Sequence, residues 1–283
     1  QLARKLDAEI VSLDSMALYR GMDIGTAKPT AAEQAVIPHH LIDLVDPWED
    51  FSLAQYVDAA QQAIADIRAR GREVLFVGGT PLYLKALLRG IFDGPGANWE
   101  LRAQIEEEVE QVGSQALHQR LEQIDPVAAS MIHPNDTRRM IRAVEVYRAT
   151  GEPISHQQLQ FDDERPAETC RVFVLRRPRE QQHERINARV DEMIARGLVN
   201  EVERIAAQPN GFGRTAGQAV GYREVLEHLA GRYDGETMVE KIKTRTRRFA
   251  KRQGTWFRSL SECRFVDIEA DDATASIAER IFK

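Results

Sequence analysis

The chain has 283 residues, 43% hydrophobic and 29% charged, with a formal net charge of −6; that is ordinary soluble composition, with enough length for one large or two ordinary domains. No apolar run approaches the roughly 20 residues that span a bilayer, and Gln1-Leu2-Ala3-Arg4-Lys5-Leu6 lacks the basic-then-apolar order of a secretory signal. Cys170 and Cys263 lie far apart and make no C-x-x-C pair, which argues against a zinc site or a disulfide framework and fits a reducing cytoplasm.

In chain order, Leu2–Leu6 reads as the last turn or two of a helix leading into a strand. With no initiator Met, the chain reads as a fragment whose beginning has been removed. Glu9-Ile10-Val11-Ser12-Leu13 is a buried strand ending at Asp14-Ser15. Ser52-Leu53-Ala54-Gln55 opens a helix with a capping-box pattern, closed near Gly71. A second apolar strand, Val74–Val77, ends at Gly78-Gly79-Thr80 and passes through Pro81 into an apolar helix. Strand, helix and strand in alternation predict a parallel sheet. Residues 98–160 show helical patterns and no convincing strand, acidic early (Glu106, Glu107, Glu108, Glu110) and basic later. Cys170–Leu175 resumes the strand pattern, and the rest reads as mainly helical. The expected architecture is an α/β core of residues 1–95 and 164–283, interrupted by an all-helical insertion at 96–163.

Five stretches carry candidate chemistry, each with a plainer reading beside it. Asp14 stands at a strand's carboxyl end, where open α/β sheets bind ligands, though a carboxylate there also caps helices. Gly21-Met22-Asp23-Ile24-Gly25-Thr26-Ala27-Lys28-Pro29 offers amides and a lysine to an anion, or is a surface turn. Val77-Gly78-Gly79-Thr80-Pro81 offers a helix N-terminus to negative charge, or packs helix on strand. Arg138, Arg139 and Arg142 share a face or edge of a helix opened by His133-Pro134-Asn135-Asp136, and Arg185 and Arg189 lie i, i+4 on another; solvated surface charge is the ordinary explanation of both sets. His39 and His40 are read as structural, with no partner spacing for a metal.

The fifth is a run of eight basic residues and no acidic one between Lys241 and Arg258 (Lys241, Lys243, Arg245, Arg247, Arg248, Lys251, Arg252, Arg258), with Phe249, Trp256 and Phe257 among them. Charge acts over about 8–10 Å at physiological salt, so one basic face attracts a polyanion despite the acidic total. Bases with interleaved rings are the composition of single-stranded RNA surfaces. Some of those rings belong to the core, since Phe249 and Trp256 lie seven apart on one stripe.

In order, Ser12-Leu13-Asp14-Ser15, Tyr19 to Pro29, Val77-Gly78-Gly79-Thr80, His133-Pro134-Asn135-Asp136, Val220-Gly221-Tyr222-Arg223-Glu224 and Lys251-Arg252-Gln253-Gly254-Thr255-Trp256-Phe257-Arg258 resemble the tRNA dimethylallyltransferase (tRNA isopentenyltransferase) family across nearly the whole chain. The resemblance implies a P-loop-NTPase-like parallel sheet core flanked by helices. Members open with a strand and a phosphate-binding G-x-x-x-x-G-K-[ST] loop, and this chain starts just after the place of that loop, so the chain by itself is expected to be inactive. The missing Cys/His set of a C-terminal zinc finger implies a bacterial-type enzyme.

The resemblance further implies that dimethylallyl diphosphate, with Mg²⁺, prenylates the exocyclic amine of the adenosine 3′-adjacent to the anticodon. Asp14 would be the general base, with Thr80 and Arg102 contacting tRNA near the target base. Asp14, Ser15, Met16 and Ala17; Arg138, Arg139, Met140, Ile141 and Arg142; Gln218, Ala219, Val220, Gly221, Tyr222 and Arg223; and Lys251 to Arg258 would be further RNA-contacting segments. Arg189 would bind diphosphate, with Lys28 and Arg139 as weaker candidates, and no metal ligand is assigned. The insertion would grip the anticodon stem-loop, and a monomer is expected. The competing readings are an adenylate dimethylallyltransferase acting on free nucleotide, a P-loop nucleotide kinase, and a non-catalytic RNA-binding module. The basic segments and the helical insertion favour tRNA.

Overall fold

The structure, a computed structural model, describes residues 1–91, 94–157 and 165–282. Helix α1 (Leu2–Leu6) leads through Asp7 into strand β1 (Ala8–Leu13), where Ala8, Glu9, Val11 and Leu13 are buried. After α2 (Ala31–Val36) and the two-residue β2 (His39–His40) comes α3 (Leu53–Ala69). The α3 capping box forms as its sequence predicts, with Ser52 Oγ accepting from Gln55 N while Gln55 Oε1 accepts from Ser52 N. Tyr56, Ala60, Ala63 and Ile67 form the buried stripe of α3. Strand β3 (Glu73–Gly78) follows, then α4 (Pro81–Arg89).

Strands β1, β2 and β3 are parallel, in the order β2-β1-β3, with Leu13 registered on Gly78. His39 and His40 are structural, as read from the sequence. His40 Nε2 lies 2.6 Å from Glu9 Oε2, and Arg70 closes on the same carboxylate with Nε at 3.0 Å and Nη2 at 2.7 Å. The Arg70 bonds, more than His40, hold the Glu9 carboxyl below its ordinary range despite burial.

The later strand, β4 (Val172–Arg176), pairs not with this sheet but with β5 (Cys263–Asp267), in parallel. From sequence, residues 263–267 fall in a mainly helical tail, and here they form a strand. Their alternation is weak because Arg264 and Asp267 interrupt it; Arg176 holds Asp267, and the Arg264 guanidinium lies 5.6 Å from the Phe173 ring centroid. Cys170 and Cys263 are not joined in a disulfide.

The chain forms two compact units, 1–84 with 165–283, and 85–164. The first division falls inside α4, at Lys85 where the sequence reading has 96; the second falls at 164/165, beside residues outside those described. In the first unit, helices α10 (Arg179–Ala195), α11 (Leu198–Ala206), α12 (Tyr222–Leu229) and α13 (Gly235–Arg258) build a core of Val190, Leu198, Val202, Ile205, Tyr222, Val225, Met238 and Ile242 with Tyr19 and Met22. Helix α14 (Thr274–Phe282) follows β5. Among its described residues the second unit has helices and no strand: α5 (Trp99–Val112), α6 (Ser114–Ile124), α7 (Pro126–Met131), α8 (Thr137–Thr150) and α9 (Ile154–Gln157) enclose Ile105, Leu117, Leu121, Met140, Val144 and Val146.

Candidate active site

Asp14 follows the last residue of β1 and is half-buried. One of its oxygens, Oδ1, accepts from the amides of Met16 at 2.7 Å and Ala17 at 3.3 Å, which fixes the carboxylate plane. Its Oδ2 has no hydrogen bond among the described residues. The Gly78–Thr80 turn packs directly on this strand end: Gly79 N and Thr80 N both donate to Leu13 O, at 3.1 and 3.0 Å. Thr80 Oγ1 accepts from Ser15 N at 3.2 Å, and the Thr80 hydroxyl proton has no acceptor among the described residues. Gln253 of α13 donates from Nε2 to Gly79 O. Asp14, Ser15, Thr80 and Gln253, far apart in sequence, are therefore brought together.

Below them Tyr56 and Tyr83 stack with centroids 3.7 Å apart, and Tyr56 donates to Ser12 O at 2.9 Å. Burial first, then a neighbouring tyrosine and the Asp14 charge, push both phenols above their ordinary range, so both stay protonated.

The two glycine loops do not cradle an external anion with the amides the sequence offered. At Gly78–Thr80 the plainer reading holds: amides 79 and 80 are spent on Leu13 O, and a Cβ on Gly78 would meet Leu13 backbone at 2.4 Å. The Gly21–Pro29 loop does hold an anion, but an internal one. Glu201 of α11, itself buried, accepts from Asp23 N, Ile24 N and Gly25 N at 3.0, 2.8 and 3.3 Å and from Tyr222 Oη at 2.6 Å. Lys28 is likewise spent, donating to Tyr19 O, Asp23 Oδ1 and Asp43 Oδ1 at 2.5, 2.9 and 2.6 Å with its side chain 3% exposed. Its three donors are satisfied, so it is a loop pin and not a diphosphate ligand.

The basic run divides in two. Toward its start, Lys243 pairs with Asp191, Arg245 with the fully buried Glu224, and Arg247 with Asn187, while Lys241 lies 5.0 Å from the Tyr233 ring. These residues hold α13 against α10 and α12. Toward its end, Arg248, Lys251, Arg252 and Arg258 are exposed beside Phe249 and Trp256, which are 47% and 37% exposed, with Arg252 6.0 Å from the Phe249 ring. The ring that enters the core is Phe257, not the Phe249–Trp256 stripe. Thr255 bonds back to Lys251 O, and Gly254 is half-buried.

Among the remaining candidates, burial separates side chains that can touch a ligand from those that cannot. Met140, Ile141, Ala219 and Tyr222 are buried, as is Ala17, so their side chains serve packing; Gly221 is buried backbone, and Met16 is partly buried against the first unit's core. Burial raises the Tyr222 phenol, as does its bond to Glu201, keeping it a donor. Gln218 and Arg223 are exposed, Val220 partly so, and Arg223 Nε donates to Glu227. Arg138 is exposed; Arg139 is exposed with one ion pair to Asp136 at 3.1 Å. Arg185 and Arg189 are exposed on α10, and neither has a hydrogen-bond partner among the described residues. Arg102 and Arg142 are drawn to Glu145, a buried carboxylate that no sequence pattern marked.

A parallel-sheet α/β unit with a carboxylate at a strand end, a cationic aromatic helix end, and a separate helical unit define the class. The family model described as IPP transferase matches residues 17–260. Similar proteins are the tRNA dimethylallyltransferase of Rhodopirellula baltica, 51% identical over 94% of this chain and 80% of that protein, and tRNA dimethylallyltransferase 1 of Pelobacter propionicus, 44% identical over 97% and 89%. The full-length tRNA isopentenylpyrophosphate transferase of Bacillus halodurans superposes with a TM-score of 0.70 at 39% identity, covering 99% of this chain and 88% of that one. A eukaryotic dimethylallyltransferase captured acting on tRNA superposes with a TM-score of 0.73 at 28% identity, covering 98% and 72%. This chain belongs to the IPP transferase family.

Proposed function

We propose that this protein is a tRNA prenyltransferase that joins the exocyclic amine of the adenosine 3′-adjacent to the anticodon to the allylic carbon of dimethylallyl diphosphate. The C–N bond forms as the allylic C–O bond breaks, and diphosphate leaves with the bonding pair. The amine proton, acidified as the new bond forms, passes to Asp14 Oδ2. The observation that carries this is the Asp14 carboxylate, clamped through Oδ1 by two amides with Oδ2 left over, beside a Thr80 hydroxyl whose proton has no acceptor among the described residues. Extruding the base costs a few kcal/mol, less in a loop than in a duplex, which favours an anticodon-loop substrate. Arg248, Lys251 and Arg252 with Phe249 and Trp256 supply phosphate and base-stacking contacts.

Arg189, exposed and uncommitted, is the better diphosphate candidate, and Arg139 the weaker. Among the described residues no three His, Cys, Asp or Glu side chains gather into a set that could hold a metal ion; Mg²⁺ is assigned to the diphosphate as its counter-ion, since this ion is usually held by substrate phosphates and water with few protein ligands. No described helix is long and apolar enough to cross a membrane. A monomer working in the cytoplasm completes the proposal.

Radiolabelled dimethylallyl diphosphate offered to the native protein with tRNA, AMP and ATP in parallel tests it. Label is expected in tRNA alone. Label in AMP or ATP would make it an adenylate prenyltransferase, and phosphoryl transfer without prenylation would make it a kinase.

A further inference from the structure

Glu145 lies on α8 with its side chain only 1% exposed, among the apolar residues of the helical unit's core. A carboxylate at such a depth is costly unless it is fully paired, and this one is. Oε1 accepts from Asn98 N at 2.7 Å; Oε2 accepts from Arg102 Nε at 2.9 Å and from Arg142 Nη1 at 2.7 Å. Arg142 Nη2 donates to Pro95 O at 2.7 Å, and the Arg102 guanidinium lies 4.8 Å from the Trp99 ring. Two arginines from different helices thus converge on one buried oxygen, and both stay partly exposed, at 21% and 30%. Arg102 spends one of its five N–H groups and Arg142 two, so each keeps donors for an outside ligand. Two cations against one anion also leave net positive charge.

We propose that Glu145 is the positioning residue of the RNA contact on the helical unit, holding Arg102 and Arg142 rigid so that their free N–H edges meet phosphate oxygens. This rests on the reading that tRNA is the substrate. A loose surface arginine loses rotamer freedom when it binds; one already fixed by a buried carboxylate does not. Arg138 and Arg139, exposed on the same helix, have no such anchor among the described residues: Arg139 has one surface ion pair at the helix start. Their contribution to affinity is therefore the smaller.

The test is tRNA binding by filter retention across a salt series, with steady-state kinetics alongside, for Glu145→Gln, for Arg102→Ala/Arg142→Ala, and for the triple variant. Glu145→Gln keeps the side-chain volume. It is expected to weaken tRNA binding about tenfold, near the loss of one charge-assisted contact, and to raise KM for tRNA to match. The kcat and the KM for dimethylallyl diphosphate are expected to hold. In the Arg102→Ala/Arg142→Ala background, Glu145→Gln is expected to cost nothing further. An equal loss with and without the two arginines would show a merely structural carboxylate and overturn the proposal, as would unchanged tRNA binding in a folded Glu145→Gln or in the double alanine variant. Because binding is read directly, failure of the prenyl transfer itself would appear separately, as intact binding with no labelled product.

Discussion

The two glycine loops look alike in sequence and spend their amides on different internal partners. Gly21–Pro29 and Gly78–Pro81 both present small residues, a hydroxyl and free-looking amides. In the first, three amides close on Glu201, a side chain 176 to 178 residues away, and Tyr222 completes the carboxylate's shell. In the second, two amides close on Leu13 O of the adjacent strand, and Thr80 reaches across to Ser15. The first loop is moored to the helical side of its unit; the second is laid against the strand end that carries Asp14. Amide-rich loops do bind anions, but whether the anion is a ligand or a distant glutamate depends on what the fold brings to them.

The contrast predicts unequal effects. The largest is at Asp14 itself: Asp14→Ala is expected to lower transfer by about two orders of magnitude or more while tRNA affinity stays nearly intact, and equal loss of both would remove the base assignment. Gly78→Ala comes next. Its new Cβ would meet main-chain atoms that cannot swing away, so the strand end must shift, and misplacement by about 1 Å costs on the order of 100-fold in rate. A Gly78→Ala protein with full activity would break the comparison.

Glu201→Gln should reverse that balance, with denaturant titration showing a stability loss of about 1–3 kcal/mol, since part-buried amide donors lose a charged acceptor. Turnover of the folded fraction is expected to change little. A selective loss of rate would mean the first loop touches substrate after all.

Glu9 gives a pH effect of similar or smaller size. Its carboxyl is held below the ordinary 4.5 by Arg70 and His40, so the unfolded chain binds the proton more readily. The stabilisation is present above about pH 4.5 and is lost as pH falls through the folded value. Glu9→Gln should flatten melting temperature against pH in that acid window. The smallest effect is Lys5→Ala, which removes an exposed pair with Glu279 at 3.4 Å and should cost under about 1 kcal/mol. A larger loss would mark that surface as structurally coupled.

Much was legible in the residues. β1, β3, β4, α3 with its capping box, the helical texture from 98 to 157 (158–160 lie outside the described residues) and the family resemblance all follow from local periodicity, punctuation and ordered motifs, which reside in neighbouring residues. Asp14, Thr80 and Gln253 were singled out in the sequence, but their convergence was not. β5 and β2 were missed, because one is short and interrupted by charge and the other is two residues long. Tertiary structure alone decided which charges are free. Lys28, Arg245 and Glu201 look like surface groups in sequence and are spent inside, whereas Phe249 and Trp256 look like core and stay exposed. A sequence shows a side chain's chemistry and its near neighbours; whether its donors are already satisfied depends on partners that lie from 5 residues away for Lys28 to 178 for Glu201, and only folding brings those within 3 Å or so.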